Sequence, residues 1–420
     1  MNSDFHYFGT GTAARAAGLS IEDAKLVANA AQFTDYFDSN YWSNWVIVES
    51  KEPESRELLK FSYPHLSTQT IGVKMAMDYD EDIWNAFHFP PGNHSFKPTN
   101  GNKSPLREQY QKKHLVREVN ANVAKKALLC RPYSQFVMDM VEDTVQRYKQ
   151  LLNGSDWEAE KAFIAPQQRY FSKEISRKKL ALLFLGIRMH VLADTWAHQD
   201  FTGVPDKHIN GAGVINEVYA TLNTDQFEKV DFSFSGDCAA AVPIDGMYMG
   251  HGQMGHYPDF GWLKLMYPAA WINDGTSVTR DNPQQYMEAW MEIAKTIASC
   301  FEKEETIAMP ANVKDALTKK FKLNKEEKSA PNECENNWAA DAGKELTQNR
   351  WGSMSPSEEL GIKPGWTGQL LPTTRFGDVW IVNGSTLHLF ELASVIHYQW
   401  CVKWARENPE FEWAPAVKEA

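Results

Sequence analysis

The chain has 420 residues, of which 43% are hydrophobic and 23% are charged, a composition typical of globular proteins. Its 43 Lys and Arg residues against 54 Asp and Glu residues give a formal net charge of −11, which disfavours a dedicated binder of duplex DNA. No apolar run approaches the length of about 18 residues that a membrane-spanning helix needs, so no transmembrane segment is predicted.

The cysteines and the N-terminal segment bear on where the chain is made. The five cysteines never form a C-x-x-C pair, which disfavours a disulfide scaffold and indicates synthesis in a reducing compartment. The first residues have neither the basic nor the apolar region of a signal peptide. We therefore expect cytoplasmic synthesis, and any export would use a route that does not depend on a signal peptide.

The apolar periodicity predicts a mainly α-helical fold with long irregular loops. Residues 11–38 carry a helical pattern that breaks at 18–20, where Ser20 with Asp23 predicts the N-cap of a second helix ending near Phe37. The remaining predicted segments are a proline-punctuated irregular stretch over 41–107, long helices over 108–152 and 172–200, a loop-rich stretch over 201–284, helices over 285–325 and 385–407, and a mixed stretch over 324–380 with a short β-like piece at 379–382.

The most informative motif is the apolar segment LLFLGIRMHVLADTWAH at residues 182–198. His190, Asp194 and His198 follow one another at intervals of four, so a helix places their side chains on one stripe. A buried Asp between two imidazoles must be paired or coordinated, because an isolated buried charge is costly. The pattern predicts a metal half-site; the alternative is two structural histidines that the Asp satisfies by hydrogen bonding.

A second cluster lies in the glycine-rich segment GHGQMGHYPDF at residues 250–260. His251, His256 and Asp259 can converge there without helical spacing, because glycine lets the backbone bend sharply. Taken by itself, a loop rich in histidine and glycine is an ordinary surface loop as often as it is a metal site. Beside the helical stripe it predicts additional metal ligands, because a metal site draws on several chain segments.

Four further candidates are weaker when each is considered separately. Asp4 and His6 lie near the N-terminus, where a solvated tip is the ordinary alternative. Asp35 is predicted on the second helix, between Phe33 and Phe37, and can equally face water. His88 lies in the aromatic run FHFPPG, where a core histidine is the usual interpretation.

In this order, the segments DFHYFGT, FHFPPG, HVLADTWAHQDFTG and GHGQMGHYPDF resemble a bacterial and fungal family of zinc metallophospholipases C. That family is distantly similar to the all-helical zinc phospholipase C and P1 nuclease class. The resemblance spans about residues 4–290 and implies a helical bundle-like metallohydrolase core with two or three Zn²⁺ ions. No motif matches beyond residue 300, so we expect a catalytic metal-binding domain over 1–300 and a C-terminal region of unknown role, with short strands, over 301–420.

The resemblance also implies roles for the candidate residues. Asp194 takes the place of the Asp that bridges two ions, and Asp35 with His88 completes one of those two sites. His6 would join the second ion, with Asp4 replacing the terminal amine of the distant class, and His198 with the histidine-rich loop would hold the third. Asp35 and Asp194 are the predicted catalytic residues, with Asp35 assisting the attacking water.

These observations leave three functions open, of which a zinc-dependent phospholipase C acting on phosphatidylcholine-type lipids at a membrane surface comes first. The second is a nuclease or phosphatase of the same architecture, and the third is a non-catalytic, metal-stapled module. Arg188 is the only basic residue between Leu182 and Asp206, which disfavours a nucleic-acid partner. Aromatic residues predict an apolar rim for a lipid, unless the rings point into the core: Phe5, Tyr7, Phe8, Trp84, Phe87, Phe89, Trp196, Phe201, Tyr257 and Phe260.

Overall fold

The fold was analysed in a computed structural model and is mainly α-helical, which confirms the predicted class. The structure describes residues 1–37, 44–48, 60–64, 68, 80–98, 104–121, 123–155, 174–211, 218–221, 226–229, 248–272, 276–302, 307–321, 330–348, 350–351 and 378–413. After a π-helical turn at Asp4–Gly9, the helices are α1 Thr10–Ala16, α2 Ile21–Phe33, α3 Asp80–Phe87, α4 Pro105–Lys113, α5 Gln135–Asn153, α6 Arg177–Ala197, α7 Lys207–Asn210, α8 Asn282–Cys300, α9 Ala311–Thr318, α10 Ala330–Ala340 and α11 Thr386–Glu407.

Two small sheets accompany the helices. The first contains β1 Asn44–Val48, which is antiparallel to β2 Lys60–Pro64 and parallel to β7 Asp378–Val382. The second sheet is antiparallel, in the order β4-β3-β5-β6, with strands β3 Tyr219–Ala220, β4 Glu228–Lys229, β5 Lys264–Pro268 and β6 Ser277–Asp281. The β-like piece at 379–382 is confirmed, whereas β1 and β2 fall in a stretch that we expected to be irregular.

Helix α6 forms the centre of the fold. Every residue from Leu180 to Ala197 is buried, and α2, α5, α8 and α11 pack around the helix. A helix that is predominantly apolar all round must be covered on all sides, which explains why four helices surround it. Among the described residues, α6 is also the one helix long and apolar enough to span a membrane; it lies mid-chain and is wholly buried inside the protein.

The predicted helix over 108–152 is wrong in extent, because α4 ends at Lys113 and α5 begins at Gln135. Pro132 lacks the backbone N–H that an uninterrupted helix requires, and Tyr133 adopts a positive φ of 57°. Ser134 then caps α5 by accepting a hydrogen bond from the Val137 N–H. The interruption lets Arg117 and Arg131, which lie between the two helices, reach Asp200 in the loop that follows α6.

Residues on both sides of the predicted boundary at 300 contribute to one hydrophobic core. Helix α11 packs against α6, and β7 pairs with β1. The division into two domains stays a prediction, but the C-terminal helix covers the same central helix that carries the metal-ligand motif.

Candidate metal centre

The predicted stripe on α6 is confirmed by the positions of its three polar side chains. His190 Nε2 lies 3.1 Å and His198 Nδ1 lies 3.5 Å from Asp194 Oδ2. The Asp194 side chain is fully buried. The helical period alone accounts for this convergence, since each step of four residues rotates the side chain by only about 40°.

The two oxygens of Asp194 face different partners. Oδ2 lies 3.2 Å from His88 Nδ1 as well as close to His190, whereas Oδ1 lies 3.0 Å from His6 Nε2. The Met1 amine also contacts Oδ1, at 2.5 Å. A carboxylate with a separate histidine beside each oxygen has the arrangement that a bridge between two ions requires.

Asp35 approaches the same cluster from the end of α2. Its carboxylate oxygens lie 3.7 Å from His6 Nε2, His88 Nδ1 and His190 Nε2. We expected Asp35 within a helix, but α2 ends at Phe33 and Asp35 lies in the following turn. The backbone N–H of Asp35 donates to Gln32 O over three residues, so the helix tightens there and turns the carboxylate toward the cluster.

A third group forms where the glycine-rich loop meets the end of α6. Asp259 Oδ1 lies 3.2 Å from His198 Nε2, and Asp259 Oδ2 lies 3.4 Å from His251 Nε2. The described residues therefore contain three groups in which the potential ligand atoms of each group lie within 4.8 Å of one another. The groups are His6, His190 and Asp194; Asp35, His88 and His190; and His198, His251 and Asp259.

The second nitrogen of four of these imidazoles faces a backbone carbonyl. The pairs are His190 Nδ1 with Ala31 O at 2.8 Å, His88 Nε2 with Thr68 O at 2.8 Å, His198 Nδ1 with His88 O at 2.7 Å and His251 Nδ1 with Gly255 O at 2.6 Å. A carbonyl only accepts hydrogen bonds, so each of these nitrogens carries the proton and the other nitrogen presents a lone pair to the cluster. Metal-binding histidines are usually oriented in this way.

His6 has a different environment, which also favours an ion. Its ring is fully buried, and within the described structure neither ring nitrogen makes a hydrogen bond of suitable geometry, although Nε2 lies 3.0 Å from Asp194 Oδ1. The ring stacks on His190, with centroids 3.9 Å apart. Two unsatisfied nitrogens in a buried ring are costly, and coordination of a cation by Nε2 would satisfy one of them.

The charge states suit metal binding. Burial, His190 and the Met1 amine together lower the pKa of His6 to about 4, and burial lowers the pKa of His251 to about 4 despite the attraction of Asp259. Burial tends to raise the pKa of Asp194, but the charges of His198 and the Met1 amine outweigh it and hold that pKa well below its ordinary value. Near neutral pH His6 and His251 are therefore neutral imidazoles and Asp194 is an ionised carboxylate, the forms that bind metal.

A close helix contact positions His190. Gly186 lies one turn earlier on α6, and a Cβ atom there would come within 2.5 Å of both Ala30 Cβ and Val27 O on α2. The missing side chain lets the two helices approach closely enough for His190 Nδ1 to reach Ala31 O. We did not single out this glycine in the sequence, although a glycine inside an otherwise apolar helix is a signal for close packing.

The loop after His198 is held by buried ion pairs that sequence reasoning missed. Asp200 accepts hydrogen bonds from Arg117 at 3.0 and 3.1 Å and from Arg131, and its backbone O accepts one from Trp271 Nε1 at 3.2 Å. No local pattern could identify these partners, because Arg117 and Arg131 lie 83 and 69 residues away in the chain.

With this geometry described, the chain can be compared with known proteins. Residues 1–388 match the profile of a family of unknown function, DUF6765. The chain belongs to the DUF6765 family. The comparisons with curated proteins and with solved structures find no match.

Two predicted ligands of this DUF6765 protein lie outside the three groups. Asp4 is buried, and its Oδ2 accepts a hydrogen bond from Cys334 Sγ at 2.9 Å. His256 is half exposed, and its Nδ1 faces Asp259 Oδ2 at 3.3 Å. The other eight predicted residues all belong to at least one group: His6, Asp35, His88, His190, Asp194, His198, His251 and Asp259.

Most of the predicted aromatic rim is core. Eight of the ten rings are buried, and Trp84 and Tyr257 are only partly covered. Phe89 stacks on the His198 ring, with centroids 4.3 Å apart, so it packs against a predicted metal-binding histidine and does not line a substrate cleft. A cavity of about 780 Å³ beside Arg117, Lys126 and Trp271 contains no residue of the three groups.

Proposed function

We propose that this DUF6765 protein is a zinc-dependent phospholipase C that hydrolyses glycerophospholipids of the phosphatidylcholine type. The observation that carries the proposal is the buried Asp194 carboxylate, whose two oxygens face separate histidine sets. Adjacent ions joined by one carboxylate are typical of enzymes that hydrolyse phosphoesters. The choice of a phospholipid rests on the resemblance of the ligand segments to zinc metallophospholipases C.

The donor set fits zinc. Imidazole nitrogens and carboxylate oxygens are its usual non-thiolate ligands, and eight of them gather here, more than the four that close a structural zinc site. When bound, zinc supplies positive charge that polarises the phosphate and makes water a better nucleophile near neutral pH.

Asp35 is suited to assist the attacking water. Its side chain is 23% exposed, whereas those of His6, His190 and Asp194 are fully buried, so a substrate reaches the cluster from the Asp35 side. In the proposed reaction the Asp35 carboxylate accepts a proton from water as a new P–O bond forms. The P–O bond to glycerol breaks, the glycerol oxygen takes up a proton, and diacylglycerol and the phosphorylated headgroup leave.

The burial of the aromatic rings favours a second candidate, a hydrolase of soluble phosphoesters with the same centre. Without a broad apolar rim, less of the exposed surface is suited to acyl chains. Export of the protein by a route that does not depend on a signal peptide stays a prediction.

The test compares three substrates with zinc-loaded full-length protein: phosphatidylcholine in mixed micelles, single-stranded DNA and bis(p-nitrophenyl) phosphate. We expect diacylglycerol and phosphocholine from the lipid, at a rate well above that for DNA. Asp194→Asn serves as the inactive control, and Asp315→Asn, an exposed position on α9, as the matched active control.

Faster cleavage of DNA would replace the phospholipase C assignment with a nuclease, and faster cleavage of the soluble diester would replace it with a phosphodiesterase acting on soluble substrates. A zinc-loaded protein that cleaves none of the three substrates would instead support a metal-stapled module.

A further inference from the structure

The histidines around Asp259 differ in which ring nitrogen faces the carboxylate. His198 and His251 each present Nε2 to it, while Nδ1 donates to a backbone carbonyl. His256 has the reverse arrangement, with Nδ1 lying 3.3 Å from Asp259 Oδ2. Its side chain is also 50% exposed, against 7% for His198 and 13% for His251.

This difference separates a ligand from a hydrogen-bond donor. The Nδ1 protons of His198 and His251 go to backbone carbonyls, which leaves their Nε2 lone pairs for an ion shared with Asp259. His256 instead turns Nδ1 to the carboxylate, an acceptor to which that nitrogen donates its proton. A protonated nitrogen has no lone pair for a metal. His256 Nδ1 therefore cannot bind the ion held by Asp259 while it donates its proton to the Asp259 carboxylate.

We propose that His256 is a positioning residue, which donates a hydrogen bond to Asp259 and fixes that carboxylate for zinc in the His198, His251 and Asp259 group. The inference rests on the metal centre of the proposed function. It concerns how the group is held, independently of which phosphoester is cleaved.

The surrounding backbone explains why Asp259 needs a side-chain partner. Asp259 lies at the end of the 3-10 turn Tyr257–Asp259, and its N–H donates to His256 O at 2.9 Å. Helix α8 fixes the flanking carbonyls: Asn282 Nδ2 donates to Pro258 O at 3.2 Å and to Phe260 O at 3.0 Å, and Tyr286 Oη donates to Pro258 O at 3.2 Å. The backbone is thus set, and the remaining freedom of Asp259 is rotation of its carboxylate.

His256 restricts that rotation from the open side of the group. It holds Oδ2, while the same carboxylate faces His198 Nε2 through Oδ1. Loss of a group that orients a metal ligand typically weakens metal binding about 10–100-fold. We expect that loss for one zinc ion, with binding at the other two groups unchanged.

The experiment measures zinc affinity in chelator-stripped, full-length protein, by competition with a chromophoric chelator, and follows the visible spectrum of the cobalt-substituted protein. The variants are His256→Ala, His256→Gln and His256→Asn. The Asn amide can place a donor where Nδ1 stands, whereas Gln places it near the Nε2 position. His208→Ala, which removes an exposed histidine on α7, is the matched control.

We expect His256→Ala and His256→Gln to weaken one zinc site about 10–100-fold and to alter the cobalt spectrum, and His256→Asn to stay within about threefold of wild type. An equal loss in His256→Asn would overturn the proposal and make His256 a ligand. Unchanged affinity in His256→Ala would overturn both roles. If the wild type bound no zinc, the proposed metal centre itself would fall, a result distinct from the other two.

Discussion

His190 Nε2 lies 3.1 Å from His88 Nδ1, and the second nitrogen of each ring donates to a backbone carbonyl, that of Ala31 or Thr68. Two neutral imidazoles held in this way direct their lone pairs at each other, which is repulsive unless a cation or an additional proton lies between them. Burial lowers the pKa of His88, but the hydrogen bond and charge of Asp194 outweigh burial and raise it above the ordinary value. The pair thus favours positive charge at this point in the core.

Metal removal should therefore destabilise the fold. We expect a strong chelator to lower Tm and added zinc to restore it, because a ligand that binds only the folded chain at about a thousand times its Kd stabilises by about 4 kcal/mol. Differential scanning calorimetry at several zinc concentrations measures the effect. The same Tm with and without added zinc, in protein first verified to be zinc-free, would contradict the metal assignment.

Substitution of the bridging carboxylate should remove metal as well as activity. Asp194→Asn keeps the side-chain volume but replaces one charged oxygen with an amide, so the His6, His190 and Asp194 group loses a ligand and His88 of the second group loses its carboxylate neighbour. We expect the loss of at least one zinc per chain by elemental analysis and a fall in hydrolysis rate of several orders of magnitude. Asp315→Asn should leave both unchanged, and an Asp194→Asn protein with full zinc content would argue against a bridge.

A methyl group at Gly186 should separate the helices that carry the centre. Its Cβ would lie 2.5 Å from Ala30 Cβ and Val27 O, and overpacking of this kind typically costs about 1–3 kcal/mol. We expect Gly186→Ala to lower the free energy of unfolding in urea by that amount and to weaken zinc binding through His190. Gly252→Ala is the matched control, since a Cβ at Gly252 meets no atom within 4 Å. Equal stability of the two variants would contradict the close contact.

The pH dependence of stability should contain a contribution from Asp139 on α5. Burial raises the pKa of Asp139 to about 6, although its Oδ2 accepts a hydrogen bond from Trp404 Nε1 at 2.9 Å. The folded chain holds this proton more tightly than the unfolded chain, so the free energy of unfolding falls as pH rises from about 4 to about 6.

Asp139→Asn removes this dependence. Relative to wild type, the free energy of unfolding of the variant should be higher by at most about 3 kcal/mol at pH 7 and unchanged near pH 4. The increase at pH 7 should be smaller than this limit because the Asp139 side chain is not fully buried. Urea denaturation across this pH range, at saturating zinc, checks the difference. Stability curves that run parallel at all pH values would show that Asp139 titrates normally.

Local features of the fold could be predicted from the sequence. The spacing of His190, Asp194 and His198 fixed their common stripe, because helical periodicity depends only on the local backbone. Ser20 caps α2 by accepting from the Asp23 N–H at 3.1 Å, as the motif predicted. The convergence of His251 with Asp259 was also predicted, because glycine lets the short segment between them bend sharply, whereas His256, predicted with them, lies outside the group.

Only the tertiary structure determined how distant segments complete the site. The turn after α2 brings Asp35 to His6 and His88, whereas Asp4, only two residues from His6, faces Cys334 instead. The ring nitrogens that His88, His190 and His198 present depend on carbonyls distant in the sequence, such as Ala31 O for His190. The sequence carries no record of these partners, because a carbonyl is present at every residue. The tertiary packing of α6 against α2 and the segments around residues 68 and 88 decides which carbonyl comes within reach.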